Sequence, residues 1–163
     1  MKARNWLVYH WDWEDPVDSF RLEVPVTVRF RDIDSMGHIN NAVYFTYCEV
    51  ARNAYWTSLF GTRRLAEANF IVARAEMDYR SQADQEDNVA VCIRVSQIGH
   101  TSFEFHYNII DSATRRLIGE SRSVQVAFDY AANHKVPLPD AVRARILEFE
   151  GPENVLLKPV ARA

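Results

Sequence analysis

The order of helix-like and strand-like segments along the sequence constrains the fold of this chain more than any other feature. One long helical pattern over residues 41–60 lies between a short alternating segment, Val24 to Phe30, and a series of further alternating segments. Alternation with a period of two is typical of half-buried strands, and apolar spacing of three and four residues is typical of an amphipathic helix. The order predicts an α+β fold in which one long helix packs on an antiparallel sheet. The later alternating segments cover residues 70–79, 89–95, 103–109 and 123–128.

The predicted helix carries one apolar stripe and a signal at each end. Asn40 or Asn41 can cap its N-terminus, and Gly61 can end it. The small and aromatic side chains of the stripe suit packing against a sheet. The stripe consists of Tyr44, Tyr47, Cys48, Ala51, Ala54, Tyr55 and Leu59.

A chain of 163 residues is long enough for one domain with a substantial hydrophobic core. We expect this domain to span residues 21–150 and a loop-like tail to follow over residues 151–163. We expect residues 1–20 to form an aromatic-rich N-terminal arm, which either packs on the domain or a second subunit, or serves as a stacking platform for a sugar or a base. Because a sheet with an uncovered edge needs a partner, we also expect a homodimer.

Composition excludes several classes of protein. The content of 48% hydrophobic and 25% charged residues is typical of a folded globular chain rather than a disordered or fibrous one. A net charge of −3 provides no overall positive field for a nucleic-acid backbone. Cys48 and Cys92 lie in apolar segments, which indicates buried thiols in a reducing compartment. Since we recognise no signal peptide and no membrane-spanning run, we expect a cytoplasmic protein.

The densest polar cluster lies where the first strand ends and the long helix begins. Its titratable candidates are Asp34 and His38, beside a helix N-terminus whose unpaired N–H groups carry partial positive charge. Such N–H groups can polarise an acyl carbonyl, and a nearby carboxylate can activate water or attack directly. In the alternative interpretation the acids only cap or turn the backbone, which suits Asp32. The whole cluster is Arg31, Asp32, Asp34, His38, Asn40 and Asn41.

Other patterns in the sequence give no stronger site. The five histidines show no metal-ligand spacing, so we expect no metal site. The chain contains neither a glycine-rich phosphate loop nor a Gly-x-Ser-x-Gly motif, which argues against nucleotide-binding loops and serine hydrolases. The segment from Gln97 to Ser102 reads either as a hairpin turn or as a rim that contacts a ligand.

The segment from Arg29 to Phe45, RFRDIDSMGHINNAVYF, resembles the opening motif of hotdog-fold acyl-CoA thioesterases of the 4-hydroxybenzoyl-CoA thioesterase-like group. Shorter similar stretches follow in the order typical of that family, and the resemblance covers about residues 22–145. These stretches are Met77 to Arg80 with Ala83, Ile98 to Ser102, Val126 to Asp129 and Val136 to Pro139.

The resemblance implies a fold, an assembly and an activity. The fold is the hotdog, a long central helix wrapped by a curved antiparallel sheet of five to six strands. The assembly is a homodimer with joined sheets, often paired into a homotetramer, with active sites at the interface between subunits. The activity is hydrolysis of an acyl-CoA thioester to a carboxylic acid and coenzyme A. No metal or dissociable cofactor is needed, since water is the second substrate and coenzyme A is part of the first.

The resemblance also assigns roles to residues of the polar cluster. Asp34, the second acid of an Asp-x-Asp motif, takes the position of the general base or nucleophile. The backbone N–H of Asn41 takes the position that polarises the thioester carbonyl. His38 occupies the position of a catalytic histidine in related plant acyl-carrier-protein thioesterases, although Met36 replaces the asparagine that those relatives carry two residues earlier.

Substrate binding and two other functions complete the expectations. The acyl pocket is expected to include Val43, Tyr44, Phe70 and Val72. The first alternative function is hydration or dehydration of an enoyl-CoA by a related hotdog enzyme, and the second is a non-catalytic acyl-CoA-binding dimer. The residues expected to bind coenzyme A or the acyl group are Tyr44, Arg80, His100, Thr101 and Ser102.

Overall fold

A computed structural model of the protein describes residues 19–62 and 69–158. The aromatic-rich arm expected over residues 1–20 lies outside these ranges except for its last two residues. Two short 3-10 turns cover Phe30–Asp32 and Pro152–Asn154. The helices and strands in chain order are β1 (Leu22–Pro25), α1 (Val43–Phe60), β2 (Phe70–Tyr79), β3 (Val89–Ile98), β4 (Ser102–Asp111), β5 (Leu117–Asp129), β6 (His134–Lys135), α2 (Asp140–Glu150) and β7 (Leu156–Leu157).

The strands form one sheet in the order β1-β3-β4-β5-β2, and every neighbouring pair in this order is antiparallel. The two-residue strands extend it, since β6 pairs with β5 and β7 runs parallel to β3. The predicted α+β architecture is therefore confirmed. Within the described part of the chain β2 pairs only with β5, so this ten-residue strand forms one edge of the sheet.

Helix α1 buries one side against the sheet. Every residue of the predicted stripe is buried except Ala54, which is half-buried. The Tyr55 and Trp56 rings meet Phe103 and Phe105 of β4 mostly edge to face, a favourable geometry for packed rings. Gly61 ends the helix as predicted, with a φ of 69° that glycine adopts without strain and an N–H that donates to the Thr57 carbonyl.

The first strand is shorter than the sequence pattern predicts. Alternation from Val24 to Phe30 indicates a continuous strand, but β1 ends at Pro25 and a 3-10 turn begins at Phe30. Proline has no N–H to donate to a neighbouring strand. The carboxylate of Asp32 accepts the backbone N–H of Arg29 at 2.9 Å, which closes the turn. As a result Phe30, expected on the buried face, is 85% exposed.

The tail expected to be loop-like after residue 150 contributes to the sheet. Leu156 and Leu157 pair with Gln97 and Ile98 of β3, and Val155 before them is buried. A strand of two residues has no period that could reveal it in the sequence. The described part of the tail therefore belongs to the folded domain.

A buried carboxyl group connects α2 with α1 and β3. Oε1 of Glu150 accepts the Tyr55 hydroxyl at 2.7 Å and the Val95 backbone N–H at 2.8 Å. Burial raises the pKa of Glu150 above its ordinary value, because the penalty for a desolvated charge exceeds the stabilisation from these donors. The folded chain therefore holds a proton on Glu150 at pH values where the unfolded chain has released it.

This raised pKa makes stability depend on pH. The protonated Glu150 side chain contributes fully to the free energy of unfolding below the pKa of this residue in the unfolded chain. The contribution is lost as pH rises through the higher pKa of Glu150 in the folded chain. We expect Glu150→Gln, which cannot ionise, to gain stability relative to the wild type as pH increases through this range. Urea unfolding at a series of pH values measures the difference, with exposed Glu86→Gln as the control. If the Glu150→Gln and wild-type stabilities change with pH in parallel, the buried proton does not exist.

Candidate active site

The loop between the first 3-10 turn and α1 is closed by backbone hydrogen bonds. Asp34 donates its N–H to the His38 carbonyl at 2.8 Å, and Gly37 donates to the Asp34 carbonyl at 3.1 Å. Gly37 has a φ of 83°, which glycine adopts more readily than other residues. Ile39, buried at the end of the loop, donates to the Ala83 carbonyl at 2.8 Å. These contacts give the loop one conformation and fix it to the segment that follows β2.

The Asp34 carboxylate is held on one side only. Its Oδ1 atom accepts the backbone N–H groups of Met36 at 2.8 Å and His38 at 3.2 Å. Its Oδ2 atom accepts no hydrogen bond from the residues that the structure describes. The imidazole of His38 likewise has no hydrogen-bond partner among them, and it is half-buried. One anchored oxygen and one free oxygen are what a fixed base or nucleophile needs.

Asp32 differs from Asp34 although the two acids are only two residues apart. Asp32 is buried, and its Oδ2 atom accepts both the Arg29 N–H and the Tyr47 hydroxyl, the latter at 3.0 Å. Burial and the neighbouring Asp32 carboxylate raise the pKa of Tyr47, so this hydroxyl keeps its proton and remains a donor. The structural interpretation of Asp32 is thus confirmed, and Asp34 is the accessible acid of the pair.

The start of α1 is organised by Asn40 rather than by Asn41. The side-chain oxygen of Asn40 accepts the Ala42 N–H at 2.9 Å. The Asn41 carbonyl accepts the Tyr79 hydroxyl at 2.9 Å, which ties this peptide to the end of β2. Within residues 19–62 and 69–158, the Asn41 N–H donates to no protein acceptor. It is therefore available to a ligand at the positive end of the helix.

One cavity of about 410 Å³ brings most of the predicted site together. Its walls come from the loop, the first turn of α1 and the segment that follows β2. The cavity includes all three predicted catalytic residues and two of the five predicted binding residues. Its lining residues are Asp34, His38, Ile39, Asn41, Tyr44, Tyr79, Arg80, Ser81, Gln82 and Ala83.

Arg80 lines this cavity but already has carboxylate partners. Its Nε atom donates to Glu120 at 2.5 Å, and a second guanidinium nitrogen lies 3.6 Å from Asp78. A ligand phosphate would have to share or displace these partners. Contact between Arg80 and substrate therefore stays a prediction.

His100, Thr101 and Ser102 lie at the other end of the sheet. The Thr101 carbonyl accepts the N–H of Ala127, which pairs with Phe70 at the first residue of β2. The site lies beside Tyr79 at the last residue of β2, and a strand of this length spans about 30 Å. A single subunit therefore does not bring these three residues to the cavity, and their expected role depends on a second subunit.

Two features of the cavity were not assigned from the sequence. Tyr79, about half exposed, positions the Asn41 peptide through its hydroxyl and contacts the Tyr44 ring edge to face. Ser81 and Gln82 also line the cavity. Tyr79 belongs to the family motif from Met77 to Arg80, and this motif is the sequence feature that could have identified it.

A second cavity, of about 510 Å³, lies beside another face of the first turns of α1. It contains Arg29, Arg31, Thr46 and Tyr47 but neither Asp34 nor Asn41. Among the described residues, no three or more His, Cys, Asp or Glu side chains are grouped so that they could hold a metal ion. Neither described helix meets the length and hydropathy requirements of a membrane span.

Comparisons with known proteins show the family of this chain. Residues 28–146 match the thioesterase-like superfamily. Bacillus subtilis (strain 168) YsmA is 30% identical over 89 residues, which cover 55% of this chain and 60% of YsmA. The chain thus spans less than two thirds of that relative. The chloroplastic acyl-acyl carrier protein thioesterase ATL3 of Arabidopsis thaliana is 26% identical over 130 residues, which cover 78% of this chain and 68% of ATL3.

A solved structure supports the same assignment. A thioesterase from Thermus thermophilus, complexed with coenzyme A and Zn, is 34% identical to this chain. The superposition covers 82% of this chain and 98% of the Thermus protein, with a TM-score of 0.73. Because the family match extends over most of the chain, the protein belongs to the thioesterase-like superfamily, and its architecture is the hotdog fold that the sequence motifs imply.

Proposed function

We propose that the protein hydrolyses acyl-CoA thioesters to a carboxylic acid and coenzyme A. The observation that carries the proposal is the arrangement at the 410 Å³ cavity, where a half-anchored Asp34 carboxylate and the unpaired Asn41 N–H line the same space. Membership of the thioesterase-like superfamily supports the class of reaction. The coenzyme A bound to the Thermus thioesterase supports the choice of thiol carrier.

In the proposed mechanism Asp34 acts on the thioester carbon in one of two ways. As a general base, it takes a proton from water while the water oxygen attacks the carbonyl carbon. As a nucleophile, its free oxygen attacks that carbon, and water later hydrolyses the acyl-aspartyl anhydride. In both routes the carbon–sulfur bond breaks, and the sulfur leaves as a thiolate that takes up a proton.

The start of α1 supplies the electrostatic part of the mechanism. The carbonyl oxygen gains negative charge as the carbon is attacked, and the Asn41 N–H together with the helix dipole stabilises that charge. The hydrogen bond from Tyr79 holds the Asn41 peptide in place before substrate arrives. His38, which shares the cavity, orients water or the carboxylate. The reaction calls for no metal or dissociable cofactor.

The proposal includes an assembly and a set of binding residues. A homodimer, or a homotetramer made of two such dimers, covers the edge strand β2 and brings a second subunit to the cavity. In that arrangement Tyr44 and Arg80 of one subunit contact substrate together with His100, Thr101 and Ser102 of its partner. The length of β2 supports this division, because these two groups of residues lie at opposite ends of the strand in one subunit.

A thiol-release assay tests the proposed function. We expect the purified protein to release free thiol from at least one member of a panel of short, medium, long and aromatic acyl-CoA thioesters. Because ATL3 is an acyl-acyl carrier protein thioesterase, matched acyl groups on a carrier protein decide which carrier is preferred. Water addition to an enoyl-CoA with the thioester intact would instead identify a hydratase. Calorimetric binding of acyl-CoA without thiol release would identify a non-catalytic binder.

A further inference from the structure

Strand β5 places polar side chains on the sheet face that packs against α1. Ser121, Ser123 and Gln125 are all buried there. The neighbouring strands β3 and β4 present mainly apolar side chains to the same core. Ser121, Ser123 and Gln125 therefore form a polar strip beside the edge strand β2. Buried polar side chains stabilise a fold little unless they are satisfied, and they recur where a polar ligand must be bound.

Arg52 of α1 closes this strip from the helix side. Its guanidinium donates to the Tyr107 hydroxyl at 3.3 Å, and that hydroxyl lies 2.7 Å from the hydroxyl of Ser123. Gln125 donates to the same serine oxygen at 3.0 Å. No carboxylate in the described part of the chain lies within ion-pair distance of the Arg52 guanidinium. A half-buried cation with one long hydrogen bond retains donors for a further acceptor.

The strip connects with the candidate active site along the helix. Tyr44, which lines the cavity, is followed at steps of four residues by Cys48 and Arg52, so the three share one side of α1. The rise of an α-helix places Arg52 about 16 Å from Asn41 along the axis, and its side chain leans back towards the N-terminus. A medium-length acyl group can bridge such a gap.

The side of β2 that faces α1 is partly uncovered along this route within one subunit. Ala75 lies directly opposite Ser123, and it therefore faces the same side of the sheet as the polar strip. Ala75 is nevertheless exposed, as is about half of the Tyr79 side chain nearer the cavity. Accessible surface of β2 thus lies between the cavity and Arg52, on the edge that the proposed dimer places beside a second subunit.

We infer that the acyl chain extends from the cavity along this side of β2 and that Arg52 binds an acceptor oxygen at the far end of the chain, preferably a carboxylate. The inference deepens the proposed thioesterase function and rests on it. A guanidinium donates two parallel hydrogen bonds to a carboxylate, and charge-assisted bonds in a half-buried site are strong. A plain alkyl chain would leave these donors unpaired, so the Arg52 site discriminates against it.

Two substrates of equal length test this specificity. Thiol release is measured for a medium-chain acyl-CoA and for the CoA thioester of the dicarboxylic acid of the same length. We expect the wild type to prefer the dicarboxylic thioester, and Arg52→Met to lower kcat/KM for that substrate by about tenfold or more with little change for the plain one. Arg52→Lys, which keeps the charge, should recover part of the preference. Arg74→Met is the matched control, because Arg74 pairs with Glu76 on the opposite face of the sheet.

Binding of thioether analogues, which cannot be hydrolysed, separates the inference from the proposed function. If calorimetry shows the carboxylated analogue favoured by the wild type but not by Arg52→Met, the inference holds even if no thioester is cleaved. An unchanged ratio between the two ligands in Arg52→Met would overturn it. A change in oligomeric state with equal losses for both ligands would also overturn it, because Arg52 would then hold a second subunit rather than substrate.

Discussion

Replacing Asp34 by asparagine is expected to reduce kcat/KM for thioester hydrolysis by about 10²- to 10⁴-fold. The variant keeps an acceptor oxygen for the Met36 and His38 N–H groups, so the loop between Ile33 and Asn41 should remain folded. What it loses is the negative charge that takes a proton from water or attacks carbon. Thiol release with saturating and limiting substrate measures the loss, and thermal unfolding shows whether stability is unchanged.

Asp32→Asn is the matched control for this prediction. It makes the same chemical change two residues away, at a buried carboxylate that holds Arg29 and Tyr47 rather than at the cavity. We expect the control to lose about 1–3 kcal/mol of stability and to keep its activity per folded molecule. Native rates in Asp34→Asn, or a larger loss of kcat in Asp32→Asn, would assign the chemistry to a different group.

Truncation of Phe105 is expected to cause the largest loss of stability. This side chain is fully buried between the sheet and α1, where its ring meets Tyr55, Trp56 and Phe103 at centroid distances of 5.0, 5.8 and 5.3 Å. Phe105→Ala removes these contacts and leaves a cavity that rigid neighbours cannot fill. The expected loss is about 3–5 kcal/mol, which denaturant unfolding measures directly.

Phe30→Ala makes the same substitution at an exposed position. Phe30 extends from the 3-10 turn into solvent, and its removal should change the free energy of unfolding by less than about 0.5 kcal/mol. Equal losses in the two variants would mean either that a partner covers Phe30 or that the ring cluster around Phe105 is less tightly packed than these distances indicate. The oligomeric state of Phe30→Ala separates these two explanations.

The sequence predicts the fold well where one local pattern determines the structure. The stripe from Tyr44 to Leu59 repeats over many turns, so α1 is found within two residues at its start and correctly at Gly61. The strand predictions are wrong where specific contacts, and not the alternating pattern, determine the backbone conformation. The pattern through Phe30 is interrupted because the Asp32 carboxylate closes a local turn with the Arg29 N–H, and Tyr47 of α1 donates to the same carboxylate. The pairing of Leu156 with Gln97 depends on the folded sheet alone.

The site likewise contains residues that the sequence predicts and residues that only the structure reveals. Asp34, His38 and Asn41 come from one contiguous motif, and the structure places all three on one cavity. The role of Arg52 could not be read from the sequence, because its partners Tyr107 and Ser123 reach it only through the sheet order. In the sequence Arg52 is an ordinary cation on a helix. The length of β2 keeps His100 to Ser102 away from the cavity within one subunit, which no local motif reveals, and their expected role depends on the proposed dimer.

The central claim is that Asp34 and the start of α1 act on the same thioester group. The most direct measurement is a crystal structure of Asp34→Asn, which should turn over slowly enough to retain an intact acyl-CoA. We predict the carbonyl oxygen about 3 Å from the Asn41 N and the carbonyl carbon about 3–3.5 Å from the side chain at position 34. A thioester bound instead in the cavity beside Arg29 and Arg31, away from both groups, would contradict the claim.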